Sequence, residues 1–215
     1  LSENAAPLVY IVDDDNAVRD SLGLLMRSVG LECETHESAS DFLESYEPGR
    51  PSCLVADIRM PGMSGLELQE ELRAQRAHIP IIFITGHGDI PMAVNAMKSG
   101  AMDFIQKPFR DQDLLDRIHR ALSADKERRS SWQEVAELRE RVKKLTPRER
   151  EVMDMVIKGH ANKVIALDLG VSQRTVELHR ARVMHKMGVR SLAELVRVAG
   201  RIAETGGKGS EPADD

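Results

Sequence analysis

Five side chains in the first half of the chain stand where they can act on one ligand together. "IVDDD" places Asp13 and Asp14 directly after an apolar run, and "SCLVAD" places Asp57 after a second. "IPIIFIT" brings Thr85 to the end of a third, with Gly86 next, and "DFIQKP" puts Lys107 and Pro108 after a fourth. Taken singly, an aspartate after a strand is a turn former or a helix cap, Thr85–Gly86 a turn, and Lys107 a solvated charge. As a set they are something else. Gathered carboxylates repel and raise one another's pKa values unless a cation sits among them. Hard oxygen donors with room for water suit Mg²⁺. A metal, an ammonium, a hydroxyl and a free backbone N–H around one carboxylate make a receptacle for a transferring phosphoryl group. Asp57 is then the nucleophile and forms an acyl phosphate.

The elements that must position these groups are legible in the periodicity. Leu8–Val12, Leu54–Ala56 and Ile79–Ile84 are strand-like apolar runs, and Leu31–Thr35 and Met102–Ile105 are weaker ones. Val18, Leu22, Leu25, Met26 and Val29 fall at helical offsets, with Gly30 as a stop, and further helices are expected at Ser40–Tyr46, Ser64–Arg76, Ile90–Ser99 and Asp111–Leu122. Strands alternating with helices predict a five-stranded parallel doubly wound sheet, in which ligands sit beyond the carboxyl ends of the strands.

The 215 residues contain four Phe, two Tyr and one Trp, so the cores must be mostly aliphatic. No run approaches the roughly 18 apolar residues of a membrane span and no signal-peptide pattern opens the sequence, which predicts a cytoplasmic protein with no membrane partner. Cys33 and Cys53 lack metal-site spacing and read as small buried hydrophobes. Charge divides unevenly: residues 1–123 hold 20 acidic and 11 basic side chains, whereas residues 144–203 hold 6 and 12. The basic end suits a nucleic acid.

Residues 124–144 contain no Gly or Pro, and Val135, Leu138, Val142 and Leu145 follow a short heptad seam, which predicts a helical linker. Beyond it the pattern is wholly helical. "TPRE" offers Thr146 as N-cap, Pro147 at the first helical position and Glu149 to close a capping box. Gly159 ends that helix, Asn162–Leu169 is a second, Ser172 caps a third that Gly188 ends, and Ser191–Ile202 is a fourth. On the third, Val176, Val183 and Met187 form a buried stripe, and Gln173, Arg174, Glu177, Leu178, Ala181, Arg182 and His185 face the other way. A helix with such an outer face fits a DNA major groove.

Residues 7–123 resemble the receiver domain of two-component response regulators, carried by "VDDD", "DIRMPGMSG", "ITGHGD" and "DFIQKPF". Residues 145–203 resemble the LuxR-type (NarL/FixJ-type) helix-turn-helix domain, carried by "LTPREREVMDMVIKG", "NKVIALDLGVSQRTVELHRARVMHKMGVRS" and "LAELVRVA". The whole is similar to the FixJ-type subfamily. The resemblance implies a flavodoxin-like α/β receiver joined by the 124–144 helix to an all-α four-helix domain; the polar, Gly-rich composition of residues 204–215 predicts a disordered tail. It implies that Asp57 is the phosphoacceptor, that Asp14, Asp57 and the Arg59 carbonyl bind Mg²⁺ with Asp13 acting through water, that Lys107 pairs with the phosphoryl group, and that the Lys107–Pro108 bond is cis. Thr85 and Phe104 become the switch pair, with Gly86 beside them. Glu177, Leu178 and Ala181 are expected at base edges, Lys163, Arg174, Arg180, Arg182 and Lys186 at phosphates, and Thr175 in the same DNA-contacting set. The fourth helix, around Leu192, Leu195, Val196 and Ala199, is expected to pair two copies.

The reading is a bacterial response regulator that takes a phosphoryl group from a sensor histidine kinase or a small phosphodonor. It sheds the group slowly, dimerises when phosphorylated, binds double-stranded promoter DNA and activates transcription with RNA polymerase as partner. It is not a turnover enzyme. Two rivals are a Mg²⁺-dependent phosphohydrolase and a constitutive docking module with a vestigial pocket. The first lacks an acid two residues after Asp57, where Arg59 stands; the complete acidic set argues against the second.

Overall fold

The computed structural model describes residues 6–86 and 90–206. These form two compact units that divide between Arg129 and Ser130.

The first unit alternates β1 (Leu8–Val12), α1 (Asn16–Ser28), β2 (Glu32–His36), α2 (Ala39–Ser45), β3 (Ser52–Asp57), α3 (Gly65–Ala74), β4 (Ile81–Thr85), α4 (Ile90–Lys98), β5 (Asp103–Gln106) and the first half of α5 (Asp111–Lys143). All four strand pairings are parallel, in the order β2-β1-β3-β4-β5. The period-2 alternation of the strands decides what each face buries. Leu8, Tyr10, Val12, Leu54, Ala56 and Phe83 pack with Phe42 of α2, Leu68 and Leu72 of α3, and Ala93 and Ala96 of α4. Val9, Ile11, Val55, Ile82 and Ile84 pack with Leu22 and Met26 of α1 and with Leu114, Leu115 and Ile118 of α5. Cys53 is fully buried in the second of these cores and Cys33 lies partly buried against it.

The second unit contains α6 (Pro147–Ile157), α7 (Asn162–Asp168), α8 (Gln173–Met187) and α9 (Leu192–Gly206). The capping box at the start of α6 is complete, with Thr146 accepting from the Glu149 amide and the Glu149 carboxylate accepting from the Thr146 amide. A cap of this kind is worth about 0.5–2 kcal/mol. Ser172 caps α8, and Gly188 follows it at φ +69°, a left-handed conformation that other residues adopt only at a cost. Val152, Val156, Ile165, Val176, Val183, Met187 and Leu195 fill the core.

Two expectations need correction. The helix expected over Asp111–Leu122 does not stop there: α5 runs unbroken to Lys143, because nothing in residues 123–143 breaks a helix. The stretch 124–144, expected as a helical linker, is helical to Lys143 as the continuation of α5. Asp125 of the first unit is buried, accepts from the Ser52 amide and pairs with Arg128 and Arg129; Val135 and Leu138, which belong to the second unit, are buried as well. The last helix also passes its expected end at Ile202 and continues to Gly206. The rest of the expected tail, 207–215, lies outside the described residues, as do His87, Gly88 and Asp89 of the "ITGHGD" segment.

Candidate functional site

The parallel register carries β1 and β3 to the same edge, with Val12 opposite Ala56, so the next residues along, Asp13 and Asp57, come side by side. Asp13, Asp14 and Asp57 each offer a carboxylate oxygen, all within 4.8 Å of one another. Their surroundings differ. Asp13 is buried and Asp57 partly so, whereas Asp14 faces outward. β4 and β5 supply the other wall. Lys107 reaches back so that its Nζ lies 3.0 Å from Asp57 Oδ2 and 3.2 Å from Asp13 Oδ2. Its backbone is held by the Lys107 amide, which donates to the Thr85 carbonyl at 2.8 Å; the Lys107–Pro108 bond is cis.

The electrostatics follow from this crowding. Burial raises the pKa of Asp13, and the Asp15 amide (2.9 Å from Asp13 Oδ1) and Lys107 offset only part of that. Burial works against the charge on Lys107, but its bonds and charge contacts with Asp57 and Asp13 together outweigh burial and leave the ammonium harder to deprotonate. Lys107 is the protein's own counter-charge for the pocket. Three hard-oxygen carboxylates around one point, one of them open to solvent, fit a divalent cation of the Mg²⁺ type that keeps part of its water.

Thr85 and Phe104, expected as a switch pair, stand on the adjacent strands β4 and β5. Thr85 is buried, and its hydroxyl points to the Ile105 carbonyl at 3.4 Å, the long end of a hydrogen bond. Phe104 sits opposite Phe83 in the sheet register and is half-buried, and Gly86 is half-buried beside Thr85. Arg59 meets the pocket through its amide, which donates to Asp57 Oδ1 at 3.0 Å.

Two contributors escape a reading of the acids alone. Arg19 on α1 donates to the Asp13 carbonyl at 2.6 Å and fixes the turn that aims the Asp13 side chain. Gly65 opens α3 against the Asp57 backbone: a Cβ there would stand 2.3 Å from the Asp57 carbonyl oxygen and 2.9 Å from Phe83 Cε1. Only glycine permits that approach. The "MSG" of the loop was its signal in the sequence, though not its reason.

In the second unit, Gln173, Arg174, Glu177, Leu178, Ala181, Arg182 and His185 all lie exposed along α8, opposite the buried Val176, Val183 and Met187. Lys163 on α7 is also exposed. Thr175 is engaged in the cap, its amide 3.1 Å and its hydroxyl 2.9 Å from Ser172 Oγ. Arg180 donates to Asn162 Oδ1 at 2.8 Å, which ties α8 to the start of α7. The Lys186 ammonium, expected among the phosphate contacts, lies 2.6 Å from Glu149 Oε2 and 3.1 Å from the Lys144 carbonyl. On α9, Leu192 and Val196 are exposed, but Leu195 is buried in the domain's own core and is not free to meet a second copy.

Residues 9–119 match the family model of the response regulator receiver domain, and residues 143–199 match that of the bacterial regulatory proteins of the luxR family. The chain is 51% identical to Nodulation protein W of Bradyrhizobium diazoefficiens over 192 residues, which cover 89% of this chain and 85% of that one. It is 47% identical to the transcriptional regulatory protein FixJ of Azorhizobium caulinodans over 207 residues, covering 96% of this chain and 95% of that one. A solved structure of the response regulator StyR matches at 50% identity and a TM-score of 0.84, over 92% of this chain and 100% of that one.

Proposed function

The chain belongs to the two-component response regulators that join a receiver domain to a LuxR-type DNA-binding domain, and from that premise we propose that Asp57 is its phosphoacceptor and the outer face of α8 its DNA-reading surface. The observation that carries the first part is the convergence of Asp13, Asp14 and Lys107 on the Asp57 carboxylate. An Asp57 oxygen attacks phosphorus, the P–N bond to the histidine of the sensor kinase breaks, and the electron pair leaves with the imidazole nitrogen, which takes its proton from solvent. Asp14, Asp57 and the Arg59 carbonyl would hold Mg²⁺, with Asp13 acting through water, and the ion would supply charge neutralisation for the transferring group.

Lys107 holds the acceptor carboxylate in place and then pairs with the new phosphoryl oxygens. Thr85 gives up its long bond to the Ile105 carbonyl and donates to a phosphoryl oxygen, and the Phe104 ring follows into the space. The phosphoryl group can move this equilibrium only by as much as it binds the two arrangements differently. Val94 and Met97, exposed on α4, and the Asp103 pairs with Arg117 and Arg120 provide the apolar and ionic parts of a face on which phosphorylated receivers dimerise. Met92 and Met102 are partly buried and pack against the cores.

In the cytoplasm the dimer binds promoter DNA, with Glu177, Leu178 and Ala181 toward base edges and Lys163, Arg174 and Arg182 toward phosphates, and activates transcription through RNA polymerase. Arg180 and Thr175 support α8 from the side. The experiment is binding of the full chain to DNA selected from a random-sequence pool, with a small phosphodonor and Mg²⁺, for wild type and Asp57→Ala. Wild type gains affinity on phosphodonor treatment and Asp57→Ala does not. An equal gain in both removes Asp57 as the acceptor.

A further inference from the structure

The C-terminal end of α8 is held in a way that its exposed face does not explain. Met187 is buried and its carbonyl, one of those left without a partner at a helix end, accepts from Arg141 Nη1 of α5 at 3.1 Å. Beside it the Lys186 ammonium bridges the Lys144 carbonyl, just past α5, and the buried Glu149 carboxylate at the start of α6. The same Glu149 Oε2 accepts from the Thr146 amide at 2.9 Å. Gly188 turns the chain away at φ +69° directly beneath the Arg141 guanidinium, where a Cβ would come within 2.8 Å of Nη1. Three elements thus meet at one end of the reading helix through charge-assisted bonds, each stronger than a neutral one.

We infer that Arg141, Glu149 and Lys186 are positioning residues that set the tilt of α8 for DNA recognition, and that Lys186 is not a phosphate contact. This rests on the DNA-binding reading above. The lever is geometric. A helix of 15 residues is about 22 Å long, so a tilt of about 5° at the Lys186 end displaces the Gln173–Arg174 end by about 2 Å. Recognition tolerates about 0.5 Å. The cation nearest the end of the helix therefore serves base reading without touching DNA.

The test uses the full chain treated with a small phosphodonor, the 30-base-pair duplex that wild type enriches most strongly from a random pool, and a scrambled duplex of the same composition. Glu149→Gln, Lys186→Gln and Arg141→Met, each checked by circular dichroism to be folded at the assay temperature, are titrated across a range of salt. Each is expected to weaken binding to the selected duplex about three- to tenfold while leaving scrambled-duplex binding and the salt slope unchanged. The Glu149→Gln/Lys186→Gln pair is expected to lose no more than the worse single variant, because the two share one interaction. A phosphate contact at Lys186 behaves oppositely: Lys186→Gln lowers the slope by about 1, and Glu149→Gln, by freeing the ammonium, tightens binding to both duplexes. That outcome overturns the inference, as does wild-type affinity in all the folded variants. If wild type enriches no duplex, the DNA-binding reading fails first, and the inference falls with it.

Discussion

Glu149 gives the sharpest quantitative expectation. Its carboxylate is 2% exposed, and the hydrogen bond from Lys186, followed by that from the Thr146 amide, pulls its pKa from the ordinary 4.5 down to about 2. A folded-state pKa below the unfolded one means that the unfolded chain binds the proton more readily. The carboxylate's contribution is therefore fully present above about pH 4.5 and is lost as the pH falls toward 2. Integrated over that shift it amounts to about 3 kcal/mol, and roughly half of it is gone by about pH 3. Glu149→Gln keeps a neutral acceptor for the Thr146 amide, so the net loss at pH 7 is about 2 kcal/mol. The assay is urea unfolding of wild type and Glu149→Gln between pH 7 and pH 2.5. It is followed by fluorescence of Trp132, the single tryptophan, which lies in the second unit. The stability gap should shrink steadily on acidification. A gap that is constant with pH, or that widens as the pH falls, would refute the assignment of Lys186 and Thr146 as the groups that hold this carboxylate.

Two other perturbations probe the acidic pocket. Lys107→Met leaves buried Asp13 and partly buried Asp57 without their shared cation. Losing one partner of a buried pair costs about 3–5 kcal/mol, but the Lys107 side chain is 32% exposed, so about 2 kcal/mol is expected at pH 7. The deficit should shrink as the pH falls through the raised pKa of Asp13, and also on addition of excess Mg²⁺; chemical denaturation with and without the ion reads both effects. Gly65→Ala forces a methyl group into the Asp57 carbonyl and should destabilise the first unit by more than about 1 kcal/mol while slowing Asp57 labelling by a small phosphodonor. Unchanged labelling and stability would mean that the start of α3 does not define the acceptor loop.

Much of this molecule was legible along the chain. Asp13, Asp57, Thr85 and Lys107 stand at the ends of apolar runs, and in a parallel sheet the ends of strands share one edge by construction. Their gathering at one edge followed from periodicity; the strand order β2-β1-β3-β4-β5, which brings Lys107 onto Asp13 and Asp57, did not. The outer face of α8 was legible for a similar reason: Val176, Val183 and Met187 bury at helical spacing, so Arg174, Glu177 and Arg182 must face away.

What stayed hidden were contacts between residues far apart in sequence. Lys186 looks like one more cation on a basic helix until Glu149, 37 residues earlier, is found beneath it. Leu195 looks like part of an apolar face for a second copy until the fold closes over it. The second half of α5 illustrates both sides: the absence of Gly and Pro determined that residues 124–143 are helical, but only packing decided that Asp125 is buried under the Ser52 amide and that Val135 and Leu138 are buried. Local pattern determines which face of an element is apolar and where it begins and ends, because backbone geometry is periodic. Which charge neutralises which depends on three-dimensional distance, and that is set only when the elements pack.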